Sequence, residues 1–378
     1  MKWLLSCITI ASCLCTVQAQ DHQVEHFTFV NEVWKEVQAE LASENSDRTM
    51  TVTIISHRWP EDFAETTMMQ LLDDSNAEIK LIACEALLRY DSNVHHGRVM
   101  NVIDKLSFSN PLLMCRKAIA RLKLELPNSK LDVENFASLQ HIKAEWLCPM
   151  DPEVSGNGGD ICPICQMRLE PKTRHPSDVD REAQMLALDE LAARRSPIVP
   201  KVCRELVASD TNARWRQYAA SIWARMEIEN ARPHVETFLR SGRFDTLSFI
   251  AFNMPDQFAD ELREIVEDDT KSIDFRVVAA RGLAAAGHAT YLTFLRQAAQ
   301  NENLDIAARA MAIDQIGQLG TSDDISILNT NLESEMRFFT APAAYRLLQK
   351  KRGENKSLRG RDDKQKGKKD SDGLEKGQ

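Results

Sequence analysis

Hydrophobic and polar positions along most of this chain follow the period of an α-helix, and the pattern itself recurs. Between residues 24 and 42, Val30, Val33, Trp34, Val37 and Leu41 share one face, which predicts an amphipathic first helix. Thr51–Ile55 alternates like a short strand, but a lone strand has no partner here, so a helix or an irregular piece is expected. From Phe63 the pattern becomes repetitive. The turn Asp73-Asp74-Ser75-Asn76 precedes an apolar run ending in Ala86-Leu87-Leu88, and Ser109-Asn110-Pro111 precedes Lys117–Leu122. Ala83 to Ala118 and Leu87 to Leu122 are both 35 residues apart. The cadence returns after residue 180. Asp210-Thr211-Asn212 leads into Arg216, Ala219, Ala220 and Trp223. Arg276 to Arg309, Leu283 to Ile316 and Gly287 to Gly320 are each spaced by 33, and a looser copy runs through Ala341–Leu348.

A fixed period of this length marks stacked helical pairs, because one pair cannot bury its own apolar face. The alanines let neighbouring helices approach closely, and Gly287 and Gly320 suit left-handed helix ends. The segments Phe63–Leu122 and Asp180–Leu348 resemble HEAT repeats, whose second helix opens with an acidic residue and an arginine. TPR is the nearest competitor, but its large aromatic and proline positions do not recur. A non-repetitive helical bundle is the plain alternative. The expectation is an all-α, HEAT-like α-solenoid in two arms, residues 24–140 and 178–349, with a small module at 141–175 between them. Leu126–Glu145 and Lys172–Asp178 read as connectors, since Pro127, Pro171 and Pro176 discourage continuous helix.

The module breaks the helical pattern. Trp146–Pro171 holds Cys148, Cys162 and Cys165, and a Cys-x-Met pair occurs twice, at Cys148/Met150 and Cys165/Met167. Pro149 and Pro163 each follow a cysteine and push it towards an extended backbone. The turn-rich run Ser155–Asp160 can fold one arm onto the other. Thiolates and thioethers are soft donors that suit Cu(I) and Zn(II), zinc favouring the thiolates. Three cysteines leave a tetrahedral zinc one ligand short, and Asp151, His141, His175 or water would complete it. A structural zinc knuckle, a functional heavy-metal site and a metal-free disulfide are the competing readings. A thioredoxin-like role lacks the surrounding βαβ pattern. Gln166 stands where c-type haem attachment needs histidine.

At these residues the chain resembles the heavy-metal-binding domain, a module found fused to copper and silver efflux proteins and other bacterial envelope proteins. The resemblance implies metal binding by Cys148, Met150, Cys162, Cys165 and Met167. Two positions depart from that pattern. Asp151 replaces a usual histidine, offering a hard oxygen, and Gln166 replaces a glycine.

The ends of the chain add a destination. Residues 1–19 have the form of a secretory signal peptide, with Lys2 before an apolar stretch and Val17-Gln18-Ala19 as the cleavage site. Ile10-Ala11-Ser12-Cys13 also reads as a lipobox, with Cys13 as a lipidated first residue. Nothing later approaches a membrane-spanning run. The expected location is the periplasm or cell envelope. Lys350–Gln378 is rich in charge and glycine and reads as a disordered basic tail, with contact to anionic lipid or wall polymers as the sharper alternative. A formal net charge of −9 argues against nucleic acid as a partner.

Cys84, Cys115 and Cys203 lie on apolar helix faces as small buried hydrophobes, with a Cys84–Cys115 bridge as an alternative. His95-His96 reads as a solvated turn. No catalytic constellation is apparent, and a non-enzymatic protein with a partner on its repeat surface is expected.

Overall fold

A computed structural model of the 378-residue chain describes residues 28–350 except 44–46, 91–92, 141, 143, 152, 157–158, 174–175, 211 and 330–335. The signal-peptide and lipobox readings, the C-terminal tail after Lys350, and His141 and His175 fall outside the described residues. The fold is all-α and solenoid-like, about 74% helical with 18 helices among the described residues. The first helix, α1, spans residues 28–42. It is followed by α2 (Arg48–Arg58), α3 (Glu61–Leu71), α4 (Ala77–Arg89), α5 (His96–Ile103), α6 (Pro111–Lys123) and α7 (Ser129–Ala137). Three short strands follow, β1 (Ala144–Leu147), β2 (Ser155–Gly156) and β3 (Glu170–Thr173). The helices resume as α8 (Asp178–Ala193), α9 (Ile198–Ser209), α10 (Ala213–Met226), α11 (Ile228–Arg240) and α12 (Phe244–Asn253). They continue as α13 (Ala259–Glu267), α14 (Ile273–Ala285), α15 (Thr290–Gln300), α16 (Ile306–Leu319) and α17 (Ile325–Asn329). The last, α18, spans residues 337–350.

The recurring polar turns are helix caps. The Asn76 side chain accepts from the N–H groups of Glu78 and Ile79, and Asn110 does the same for Leu112 and Leu113. Asn212 and Asp305 cap α10 and α16 in the same way. Each satisfies backbone donors that a helix start leaves open, a contribution of about 1 kcal/mol per cap. At α8, Ser177 and Asp180 bond reciprocally as a capping box. The helices so started bury small side chains, such as Ala83 and Ala86, Ala219 and Ala220, and Ala310 and Ala312. Gly287 ends its helix at φ 90° as expected, but Gly320 has φ −64° and leaves α16 in extended backbone.

Packing divides the chain into two compact units, Glu65–Phe249 and the residues up to Ala64 taken together with those from Ile250. In the Glu65–Phe249 unit, α6 and α7 pack directly on α8. The Cys115 thiol donates to Ala183 O at 3.3 Å, and Gln184 Nε2 donates to Ala137 O at 2.8 Å. The module is therefore looped out between α7 and α8, which pack on each other directly. The connector expected over Leu126–Glu145 contains α7. Asn128 turns the chain at φ 62°, and Val133, Phe136 and Ala137 then find a buried face. Thr51–Ile55 lies within helix α2, with Val52 and Ile55 buried.

In the other unit the first helices pack against the last. Phe63 meets Tyr345 edge-on at 4.9 Å, and Trp34 and Trp59 complete the aromatic cluster. The Tyr345 hydroxyl donates to Asp62 at 2.6 Å, and Arg337 pairs with Glu36 at 2.9 Å. No helix among the described residues is long and apolar enough to cross a membrane.

Candidate metal centre

The looped-out module is a three-stranded antiparallel sheet in the order β2-β1-β3. Trp146 faces Gly156 on one side and Pro171 on the other. The strands are too short to hold alone, so pairing and a very small core fix them. That core is Cys148, Cys162 and Leu169, with Trp146, Val154 and Cys165 packed against it. Gly159 turns at φ 99°, a conformation that favours glycine, and an Ile161–Arg168 bridge closes the Cys-x2-Cys turn.

Cys148, Asp151, Cys162 and Cys165 converge, with one donor atom from each lying within 4.8 Å of all the others. The Cys148 and Cys165 sulfurs are 3.2 Å apart. Asp151 Oδ2 is 3.8 Å from both Cys148 Sγ and Cys162 Sγ. A tetrahedral zinc with bonds of about 2.3 Å to sulfur separates its sulfurs by about 3.8 Å, so the donor set surrounds room for one ion once the Cys148–Cys165 pair opens by about half an ångström. Cys148 and Cys162 are 1% and 0% exposed, and all three cysteines are free thiols.

Backbone amides support the sulfurs. The prolines after Cys148 and Cys162 have no N–H to give, so the donors come from further on. Asp151 N–H points at Cys148 Sγ at 3.3 Å, and Ile164 N–H at Cys162 Sγ at 3.4 Å. Such bonds favour the thiolate over the thiol. Burial pushes the Cys162 thiol up, but the amides of Cys165 and Ile164 and the two neighbouring thiols outweigh it, and the net shift is downward. Cys165 goes the other way, to about 11. Its bond from the Met167 amide lowers it, but the shared bond with Cys148, burial and Cys162 together prevail. Three sulfurs this close cannot all carry charge unaided, and a cation among them removes that conflict.

Of the sequence candidates, the three cysteines and Asp151 come together. Met150 is 70% and Met167 38% exposed, so both thioethers sit on the rim, where Met167 also supplies the backbone carbonyl that accepts from Cys162 N–H at 2.8 Å. Gln166 has φ 61°, left-handed, which accounts for a glycine at that place in the pattern the module resembles. Sequence reading missed the amide donors and two exposed apolar rim residues, Ile161 and Ile164. The residue two or three positions past the cysteine of a Cys-Pro pair is the signal that finds such amides. Elsewhere, Cys84 and Cys203 are raised to about 12 by burial, and Cys115 is raised further by the same cause. They are inert core thiols, free and not bridged. His95 is paired with Glu65 at 2.5 Å, not simply solvated.

Fold and site together define an all-α protein that carries a sulfur-rich metal-binding module. Residues 146–172 match the model of the heavy metal binding domain. No curated protein matches. Two solved chains do, among them the X-ray structure of YibA from Escherichia coli, a structural genomics target. It is 15% identical, covers 81% of this chain and 98% of its own, and superposes with a TM-score of 0.31. A likeness at that score carries no inference about this chain.

Proposed function

We propose that this is an exported metal-binding protein in which Cys148, Cys162, Cys165 and Asp151 hold Zn(II), displayed on a HEAT-like helical body that docks another protein. The convergence of the four donors within 4.8 Å is the observation that carries the reading. Zinc accepts a mixed sulfur and carboxylate set, whereas Cu(I) has no use for a hard oxygen. When bound, the ion supplies positive charge that holds the thiols as thiolates.

A binding role is favoured over a purely structural one because α6 and α7 reach α8 without the module's help. Met150 and Met167 on the rim favour a second reading, Cu(I) held by the three thiolates with the thioethers as auxiliary donors. Export rests on the form of residues 1–19, with lipidation at Cys13 as its variant.

Elemental analysis of the protein purified anaerobically from its native compartment tests the assignment. About one zinc per chain supports it, and copper alone moves the case to the second reading. An empty, disulfide-bonded module overturns both. Chelation of the zinc protein should leave the helical circular dichroism and melting curve almost unchanged; collapse of the helices on chelation would make the site structural.

A further inference from the structure

Outside the metal module, the stacked helices exchange charge pairs. In the Glu65–Phe249 unit, Arg116 lies 2.6 Å from Glu85 and Arg225 is paired with Asp189. In the other unit, two arginines at such contacts have, among the described residues, no carboxylate of their own. Positions 281, 314 and 346 on α14, α16 and α18 carry Arg, Asp and Arg, and Arg58 at the end of α2 adjoins them. Asp314 is fully engaged: Oδ1 accepts from Arg346 Nη1 at 2.7 Å and Oδ2 from Gln318 Nε2 at 2.8 Å. The second Arg346 nitrogen, Nη2, donates to Arg58 O at 2.8 Å.

Among the described residues, no hydrogen bond or ion pair reaches the guanidinium of Arg281 or of Arg58. Each stacks on a ring. Arg281 Cζ lies 3.0 Å from the Phe252 centroid, and Arg58 Cζ lies 4.9 Å from that of Phe339. Arg281 is only 9% exposed. Burial, with a smaller contribution from the Arg58 charge and against the pull of Asp314, lowers Arg281 to about 10. Arg281 thus lies within charge range of one carboxylate that Arg346 already engages and of a second cation, Arg58, in a place partly withdrawn from water, where an uncompensated charge is costly. Stacking occupies the faces of the two forks and leaves their N–H edges open, the geometry that takes oxyanions bidentately.

We propose that Arg58 and Arg281 form a binding site for a small oxyanion, a carboxylate or a phosphate group, flanked by Arg346. The test uses the full chain, the parent alongside Arg281→Met and Arg58→Gln, melted in chloride, acetate and phosphate at equal ionic strength. In chloride Arg281→Met should melt no lower than the parent, because it removes an unmatched charge and keeps an apolar stem on Phe252. In tens of millimolar phosphate the parent should gain a few degrees and neither variant should. Titration calorimetry with phosphate should show at least tenfold weaker binding by each variant. A parallel gain in acetate assigns the site to carboxylates as well, and a gain in phosphate alone assigns it to phosphate-type ligands. The proposal is overturned if parent and variants shift equally in every salt, or if the parent takes up neither anion in the titration.

Discussion

Asp151 decides whether the module is a four-donor zinc site or a three-thiolate site, and Asp151→Ala isolates its carboxylate. The substitution keeps the Asp151 N–H that points at Cys148 Sγ at 3.3 Å, and the Asp151 carbonyl that accepts from Val154 N–H at 2.9 Å. Only the oxygen 3.8 Å from two sulfurs is lost. Structural zinc sites with four protein ligands bind with an apparent free energy of about 10–16 kcal/mol, or roughly 3 kcal/mol per donor. Asp151 is half-buried, so water can refill its place and recover part of that. The net loss should be about 2 kcal/mol, a weakening of roughly 30-fold. Cys162→Ser removes a fully buried sulfur and should cost about 1,000-fold or more. The assay is anaerobic competition against a chromophoric zinc indicator at pH 7, repeated with a Cu(I) chelator. For Cu(I), Asp151→Ala should change little, because a soft ion gains little from a carboxylate. If Zn(II) affinity is unchanged in Asp151→Ala while Cys162→Ser abolishes it, the carboxylate is not a ligand and the four-donor reasoning fails.

Three further outcomes are expected. Gln166→Gly relieves a left-handed residue, worth about 1–2 kcal/mol, against a glycine entropy cost of about 0.5–1 kcal/mol, so zinc should bind up to about tenfold tighter; Gln166→Val, β-branched at φ 61°, should bind more weakly, and the reverse order would refute the strain. At Gly317 an added Cβ would lie 2.7 Å from both Cα and Cβ of Ala343, so Gly317→Ala should lose about 1–2 kcal/mol in urea unfolding despite a helix-propensity gain of about 1 kcal/mol, and a stabilised variant would show that α16 and α18 are not in close contact. Asp324 is held below the usual carboxylate range because, against burial, the Arg296 bonds at 2.6 and 3.0 Å and the Thr321 N–H prevail. Its folded value is depressed, so its stabilisation is full above the unfolded value of about 3.9 and drains away as pH falls through the folded one. Asp324→Asn should therefore cost about 2 kcal/mol at pH 7 and much less near pH 2, and an equal cost at both would refute the pairing.

What could be read from the residues was what depends on near neighbours. Asn76, Asn110, Asn212 and Asp305 cap helices through bonds spanning two or three residues, so the polar turns announced those helices directly. The sulfur site was legible for a related reason: Cys162 and Cys165 share one turn, and a glycine-bearing loop of thirteen residues separates Cys148 from them. What escaped depends on partners far along the chain. Helix α7 exists because α8, across the whole module, offers Val133 and Phe136 a face to bury, and local composition around Pro127 argued the other way. The strands are four residues or fewer and carry no alternation to detect, so only their register reveals them. The excess charge around Asp314 is the extreme case. Arg58 and Arg346 are 288 residues apart, and each arginine taken alone reads as an ordinary solvated helix residue. Segments far apart in sequence that pack together can concentrate like charges that no local pattern discloses, and here the stacking of Arg281 on Phe252 and of Arg58 on Phe339 is what accommodates two such charges within one helical unit.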